Sequence, residues 1–201
     1  MKNGLVGYFG YGSLVNRQTL RTDFVAARPA RLAGFRRYWQ SRGRDIEPAA
    51  GDDIALLSVA PDPGASILGM LVVDRAGNLA SVDEREARYD RLRIDRAQIE
   101  VLAPDGVDGA ALPDELYLYV GRGRPDDGAC LLQSYLDAVM AGFLAEFGEA
   151  GVHHFLATTS GFARTVIADR ASPRYPRAVR LDPATARRFD QWLEAAGARF
   201  G

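Results

Sequence analysis

Two groups of residues in this chain have types and spacing suited to chemistry. The first is Tyr8-Phe9-Gly10-Tyr11-Gly12-Ser13-Leu14, a short apolar stretch running into two glycines and a serine. A strand that ends in such a turn can set several backbone N–H groups on one concave side, because glycine reaches positive φ and lets a ligand approach the backbone. That arrangement suits carboxylate or phosphate oxygens. Ser13 adds a hydroxyl, and Tyr8 and Tyr11 add aromatic walls with polar tips. A dinucleotide fingerprint is excluded, because Val15 stands where glycine or alanine is needed, and no Walker lysine follows. The plain alternative is an ordinary tight turn with surface tyrosines. The second group centres on Glu86. Leu79, Val82, Glu86 and Tyr89 recur at helical spacing, so an apolar helix face carries a carboxylate inward. Burying an unpaired carboxylate costs several kcal/mol, on the order of one ion's desolvation, and raises its pKa toward that of a useful base. The alternatives are a structural ion pair with an arginine, or a helix that ends before Glu86 and leaves it in water.

The elements that must position these groups follow from pattern. Leu5 to Phe9 predicts a buried strand, and Asn16 to Leu20 one or two helical turns. Phe24 to Tyr38, interrupted by Pro29 and Gly34, predicts a bent or bulged edge strand. Ile54 to Val59 and Ile67 to Val73 predict an antiparallel pair around the turn Pro61-Asp62-Pro63-Gly64. Ser81-Val82-Asp83-Glu84 has the form of a helix capping box. Leu92 to Leu102 and Leu116 to Val120 predict two further strands, with a polar, glycine-rich loop from Pro104 to Pro113 between them. Leu131 to Phe147 carries apolar residues at helical spacing, Val152 to Thr159 suggests a short helix, and Pro183 to Ala196 a terminal one capped by Asp182. Strands first and helices later argue an α+β fold with a mainly antiparallel or mixed sheet, closed in one version as a barrel.

The chain has 201 residues, 47% hydrophobic and 25% charged, which fits a single domain with an ample core. Its formal net charge of −1 provides no global field for nucleic acid or an anionic membrane. The arginines Arg28, Arg31, Arg36, Arg37, Arg42 and Arg44 form the one basic cluster, read as a solvated strand face rather than a nucleic-acid surface. Cys130 is the single cysteine and reads as a small buried filler. His153 and His154 are adjacent and poorly placed as joint metal ligands, so no metal or other cofactor is expected. The expectation is a soluble, cytoplasmic protein without membrane association.

The two groups also occur together in a known order. The run from Tyr8 to Leu14 resembles the Y-x-x-Y-G-S-[NL] signature of the γ-glutamylcyclotransferase-like superfamily, which includes ChaC and AIG2-like proteins. Val82-Asp83-Glu84-Arg85-Glu86-Ala87-Arg88-Tyr89-Asp90-Arg91 resembles its later L-D-x-x-E-G-x-x-Y-x-R motif, with Ala87 in place of the usual glycine. The segments from Ala33 to Tyr38 and from Leu68 to Val73 sit where that family has comparable strands. The resemblance covers roughly residues 5–145. It implies a small mixed β-barrel flanked by helices, with a barrel core over about 1–125 and a helical C-terminal part over about 126–201, all one domain. It also implies that Tyr8, Phe9, Gly10, Tyr11, Gly12, Ser13 and Leu14 hold a γ-glutamyl group and that Glu86 is the general base. Tyr135 resembles a substrate-contacting tyrosine, with core packing as the alternative. The reaction implied is cyclisation of a γ-glutamyl dipeptide, amine or glutathione to 5-oxoproline, with release of an amine or amino acid and no cofactor. The protein acting on this small molecule would be a monomer or a homodimer. The other expectation is a non-catalytic AIG2-like module that binds an anionic metabolite. The tract Arg170 to Arg180 folds over the barrel or joins a dimer interface; the sequence leaves both open.

Overall fold

The computed structural model of the chain describes residues 4–41, 53–102, 112–123 and 128–201. Strand β1 (Leu5–Gly10) is buried after its first residue. The next two strands, β2 (Ala26–Ser41) and β3 (Ala55–Arg75), pair antiparallel over almost their whole length, from Ala26 opposite Val73 to Ser41 opposite Ala55. This corrects the expected hairpin around Pro61-Asp62-Pro63-Gly64, since both apolar runs are halves of β3 and both pair with β2. Ala33 lies opposite Ser66 and Phe35 opposite Pro61, so residues 62–65 bulge out against Gly34, whose φ is +83°. A turn signal facing a left-handed glycine on the partner strand bends the two strands together and does not reverse the chain.

The helix α1 (Leu79–Arg85) follows, then β4 (Tyr89–Arg93), β5 (Ile99–Val101) and β6 (Leu116–Gly121). The single strand expected over Leu92 to Leu102 is therefore two. Asp95 and Gln98 form a capping box around a 3-10 turn at Arg96–Gln98 that separates them. The expected loop from Pro104 to Pro113 lies largely outside the described residues. Beyond it come β7 (Leu131–Leu132), α2 (Gln133–Ala157), β8 (Thr159–Ser160), β9 (Thr165–Ile167), α3 (Pro183–Ala195) and β10 (Arg199–Phe200). The long α2 joins both predicted helices across a kink at Gly148. In α3, the Asp182 carboxylate accepts the amides of Ala184 and Thr185, as expected of its cap.

The main sheet runs β4-β6-β1-β3-β2-β5, with β8 also on β2. β1 is parallel to β6 and antiparallel to β3. β2 is not an edge, because β5 and β8 pair along its other side. The fold is thus mixed α+β as expected, but the barrel is not closed: among the described residues no ladder joins β4 to β5. The sheet bends strongly instead, bringing the first half of β3 back toward β4 and β6. Among the described residues, side-chain hydroxyls bonded to backbone groups bridge that seam. The Gly121 amide donates to Ser58 Oγ at 3.0 Å, and the Tyr89 hydroxyl donates to the Leu57 carbonyl at 3.0 Å. The C-terminal part is not purely helical either, since β10, β9 and β7 form a second, three-stranded sheet. Strands of two or three residues are too short to show an alternation.

Arg37, on β2, is fully buried, and among the described residues no carboxylate partners it. Its Nε donates to the Tyr11 carbonyl at 2.8 Å, Nη1 to Thr158 Oγ1 at 2.8 Å, and Nη2 to the Leu68 carbonyl. The guanidinium carbon lies 5.1 Å from the Phe143 ring centre and 5.4 Å from that of Phe155. Nearby, the Leu68 amide donates to His154 Nε2 at 3.2 Å. Burial and the neighbouring Arg37 and Arg31 depress the His154 pKa, which suits a ring nitrogen acting as acceptor. The proposed basic strand face is therefore not one surface. Arg37 is internal, Arg31 pairs with Glu100 and Arg36 with Asp62, and Arg42 and Arg44 lie outside the described residues.

Arg170 fastens the C-terminal part to α2. Its Nε and Nη2 reach the Asp137 carboxylate at 2.7 and 2.9 Å, and its Nη1 and Nη2 reach Asp190 on α3 at 2.9 and 2.7 Å. Asp137 is only 1% exposed, and its burial raises its pKa against the pull of Arg170. Arg170→Ala leaves that carboxylate buried and alone. We expect a loss of about 3 kcal/mol at neutral pH, the low end for a broken buried pair because Arg170 is partly exposed. The loss should shrink as pH falls through the raised Asp137 pKa, where the neutral acid no longer needs a partner. Urea denaturation at several pH values checks both.

Candidate active site

The side-chain seam of the sheet opens into a cleft of about 480 Å³. Residues 9–14 form one wall, residues 84–89 the opposite one, and the start of β3 the floor; Tyr135 enters from α2 and residues 174–177 lie over the top.

The loop wall is built on close approach, not on left-handed backbone. Neither Gly10 nor Gly12 has positive φ, contrary to the sequence expectation. A β-carbon at Gly10 would fall 2.4 Å from Leu14 Cβ, and one at Gly12 would fall 2.8 Å from the Tyr135 hydroxyl. Glycine at these places lets the chain fold into a 3-10 turn at Ser13–Val15 and leaves room for Tyr135. The Gly12 carbonyl accepts the Val15 amide and the Ser13 carbonyl the Asn16 amide. The amides at the head of such a turn have no partner inside it. The loop is held from behind by Arg37 on the Tyr11 carbonyl and by Asn16, whose Nδ2 donates to the Ala138 carbonyl of α2 at 3.0 Å.

Glu86 is not on a helix face. Helix α1 starts at Leu79 without a side-chain cap, so Ser81 is not its cap residue, and it stops at Arg85. Glu86 is the first residue past the helix, and Tyr89 belongs to β4. The Glu86 amide still reaches the Val82 carbonyl, and the Glu86 carbonyl accepts the Tyr89 amide. This tight exit turns the carboxylate into the cleft, with its side chain only 15% exposed. Arg85 Nε stands 3.0 Å from Glu86 Oε1. Neighbouring residues cannot align their side chains well, and this contact is an ion pair without a well-directed hydrogen bond. Burial pushes the Glu86 pKa up, while Arg85 and Arg177 pull it partly back.

Three phenols surround the carboxylate. Burial first, and the Glu86 charge among other neighbours, push Tyr11, Tyr89 and Tyr135 well above the ordinary phenol value, so all three keep their protons. The Tyr11 hydroxyl is spent on the Tyr119 carbonyl at 2.6 Å and that of Tyr89 on Leu57. The Tyr135 ring is held edge-on between Trp39 and Tyr175.

The cover over the cleft is anchored at α2. Asp169 accepts the Ser134 amide at 2.7 Å, the Ser134 hydroxyl at 2.5 Å and the Arg174 amide at 2.9 Å. The Ser134 Oγ in turn accepts the Tyr175 amide at 3.2 Å. Asp169 thus caps α2 from a distance and pins residues 174–177 in place beside the cleft, one of the two placements left open for the tract Arg170 to Arg180.

Of the residues singled out from sequence, Phe9, Gly10, Tyr11, Gly12, Ser13, Leu14, Glu86 and Tyr135 line this one cleft. Tyr8 does not: it is 2% exposed and borders a separate, smaller cavity. Arg85, Tyr175 and Arg177 were not singled out. Arg85 had a signal, standing next to Glu86 with an arginine pairing already an alternative; Tyr175 and Arg177 arrive from a distant segment and had none. Cys130 is half-buried and its backbone bridges Ile54. Among the described residues, no helix is long and apolar enough to cross a membrane.

No protein-family model and no curated protein matches the chain. Solved structures do match its fold. An uncharacterized protein from Homo sapiens superposes with a TM-score of 0.56 at 14% identity, over 95% of this chain and 99% of that one. A protein named gamma-glutamyl cyclotransferase gives 0.54 at 15% identity, with the same coverage of 95% and 99%. YkqA from Bacillus subtilis gives 0.51 at 14% identity, over 74% of this chain and 52% of its own. The chain shares the fold of these three structures.

The fit of Gly12 against Tyr135 can be measured. Gly12→Ala is expected to cost about 1–3 kcal/mol, the usual range for overpacking. Tyr135→Phe, which removes the oxygen that the new methyl meets, should recover part of that loss, and a double-mutant cycle by urea denaturation reads the coupling.

Proposed function

We propose that this protein cyclises a γ-glutamyl compound to 5-oxoproline and releases the attached amine or amino acid. The observation that carries the reading is the meeting of Glu86 with the 9–14 loop in one largely buried cleft, in a fold shared with a protein named gamma-glutamyl cyclotransferase. The substrate classes are γ-glutamyl dipeptides, γ-glutamyl amines and glutathione.

In this scheme the amides leading the Ser13–Val15 turn, with the Ser13 hydroxyl, hold the oxygens of the γ-glutamyl end. The α-ammonium gives a proton to Glu86. The freed amine attacks the γ-carbonyl of the same molecule, closing a five-membered lactam. Glu86 passes this proton to the departing nitrogen as the amide bond breaks, then takes the second proton from the lactam nitrogen and yields it to the freed amine, which leaves as its ammonium, so atoms balance without water or a cofactor. Nucleophile and electrophile share one molecule, so the main task is to hold a folded conformer, and the Tyr135 ring, held edge-on by its neighbours, and the cover at 174–177 suit that task. The Tyr135 hydroxyl, protonated and facing the cleft, is placed to donate to the developing oxyanion. Tyr8 packs behind the loop in this scheme and does not touch substrate.

The electrostatics fit a base. Arg85 and Arg177 keep Glu86 ionisable despite burial, and burial makes it more basic than a free carboxylate. Because the folded pKa is raised, the neutral form is favoured by folding, and that contribution is lost as pH rises through the folded value. At neutral pH, then, the charged Glu86 costs stability. Glu86→Gln should lower 5-oxoproline release from a γ-glutamyl dipeptide by about 100-fold or more, while the melting temperature stays level or rises. Wild-type kcat/KM should fall on acidification, with its midpoint above the ordinary glutamate value. Full turnover in Glu86→Gln would contradict the assignment.

A further inference from the structure

We propose that the smaller cavity beside the cleft binds a small oxyanion, a carboxylate or phosphate group, through Arg21, Thr22, Arg85 and Arg177. The cavity has a volume of about 300 Å³ and is walled off from the cleft by Leu14, Arg85, Pro176 and Arg177, which line both spaces. Three arginines face it and no carboxylate does. Among the described residues, neither Arg21 nor Arg177 forms an ion pair with a carboxylate; the contact of the Arg177 Nε is to the Tyr175 hydroxyl at 3.0 Å.

Two residues that line this space, Thr22 and Arg85, carry buried polar atoms that make no hydrogen bond among the described residues. Arg85 Nη1 is used on the Thr19 carbonyl at 2.9 Å, but its Nη2 is buried and makes no hydrogen bond. Thr22 Oγ1 is also buried, close to the Tyr8 phenol but with no aligned hydrogen bond. Buried donors in native folds are nearly always satisfied, by protein, ion, ligand or water. Water would satisfy the donors here but would leave Arg21 and Arg177 without an ion-pair partner, Arg85 being already paired with Glu86. An oxyanion answers both needs, since its oxygens accept several charge-assisted hydrogen bonds at once, and guanidinium forks suit that geometry. The size admits a phosphate-sized group or a short carboxylate. The cyclisation proposed above does not use this space, although Arg85 and Arg177 stand beside Glu86 as well; the test below reads binding and not turnover.

The test is calorimetric titration of the full chain at low salt with inorganic phosphate and, separately, with malonate. One-site binding of at least one probe is expected, and the tighter of the two identifies the chemistry as phosphate or carboxylate. The double variant Arg21→Ala with Thr22→Val, which touches nothing in the cleft, should bind about tenfold more weakly or worse, the effect of losing a charge-assisted contact. Arg93→Ala, an exposed arginine of β4 outside the cavity, should bind as wild type. If the double variant does not fold, the exposed side chain of Arg21 makes Arg21→Gln the deciding variant, with binding weakened several-fold. Neither probe binding the wild type, or affinity unchanged in the folded Arg21 variants, overturns the proposal.

Discussion

A guanidinium buried without a counter-charge sets the terms for this molecule. Such a group is tolerated only where its donors are met, because its desolvation is not repaid by an ion pair. Arg37 meets its needs with three parts of the chain that are far apart in sequence: the Tyr11 carbonyl in the loop after β1, the Leu68 carbonyl in β3, and the Thr158 hydroxyl at the end of α2. Phe143 and Phe155 close over its face. The cation therefore fixes the loop, the bent sheet and the long helix against each other, and any shift of one part would strand a buried donor. The position of the cleft's loop wall follows from this contact.

The second constraint is the seam. A sheet of this topology could close by pairing its edges, but among the described residues it is bridged by the hydroxyls of Ser58 and Tyr89. The missing ladder leaves space, and that space is the cleft. Its walls are phenols that keep their protons and a carboxylate whose burial makes it more basic. The cover is tied down by Asp169 and Arg170 through contacts to α2 and α3. Loop, carboxylate and cover are thus each held by a different part of the fold, which suits the proposed cyclisation of one small flexible molecule.

Long, regular patterns were legible in the sequence. β1, the turn after it, β6, α2 and the capped α3 all show their period or their punctuation. The bend of β3 was not, because Pro61 to Gly64 reads locally as a reversal, and only Gly34 on the partner strand makes it a bulge. Leu92 to Leu102 was read as one strand because the Asp95 capping box is short and interrupts an otherwise alternating run. Glu86 illustrates a partial success. Its inward aim was anticipated from a helical stripe, yet the structure achieves it by ending the helix one residue earlier. Arg37 was read as a solvated strand charge, since nothing local distinguishes a buried arginine from an exposed one. Tyr175 and Arg177 were invisible as cleft residues for a similar reason: Asp169 and Ser134, which place them, are separated from each other by 35 positions.

The central claim is that the loop and Glu86 grip one γ-glutamyl group between them. A crystal structure of Glu86→Gln with a γ-glutamyl dipeptide bound tests it most directly. The account predicts the γ-glutamyl end in the cleft, its carboxylate oxygens on the amides at the head of the Ser13–Val15 turn, and its α-nitrogen within about 3 Å of the side chain at position 86. A γ-glutamyl group bound elsewhere, or bound with its α-nitrogen turned away from position 86, would contradict it.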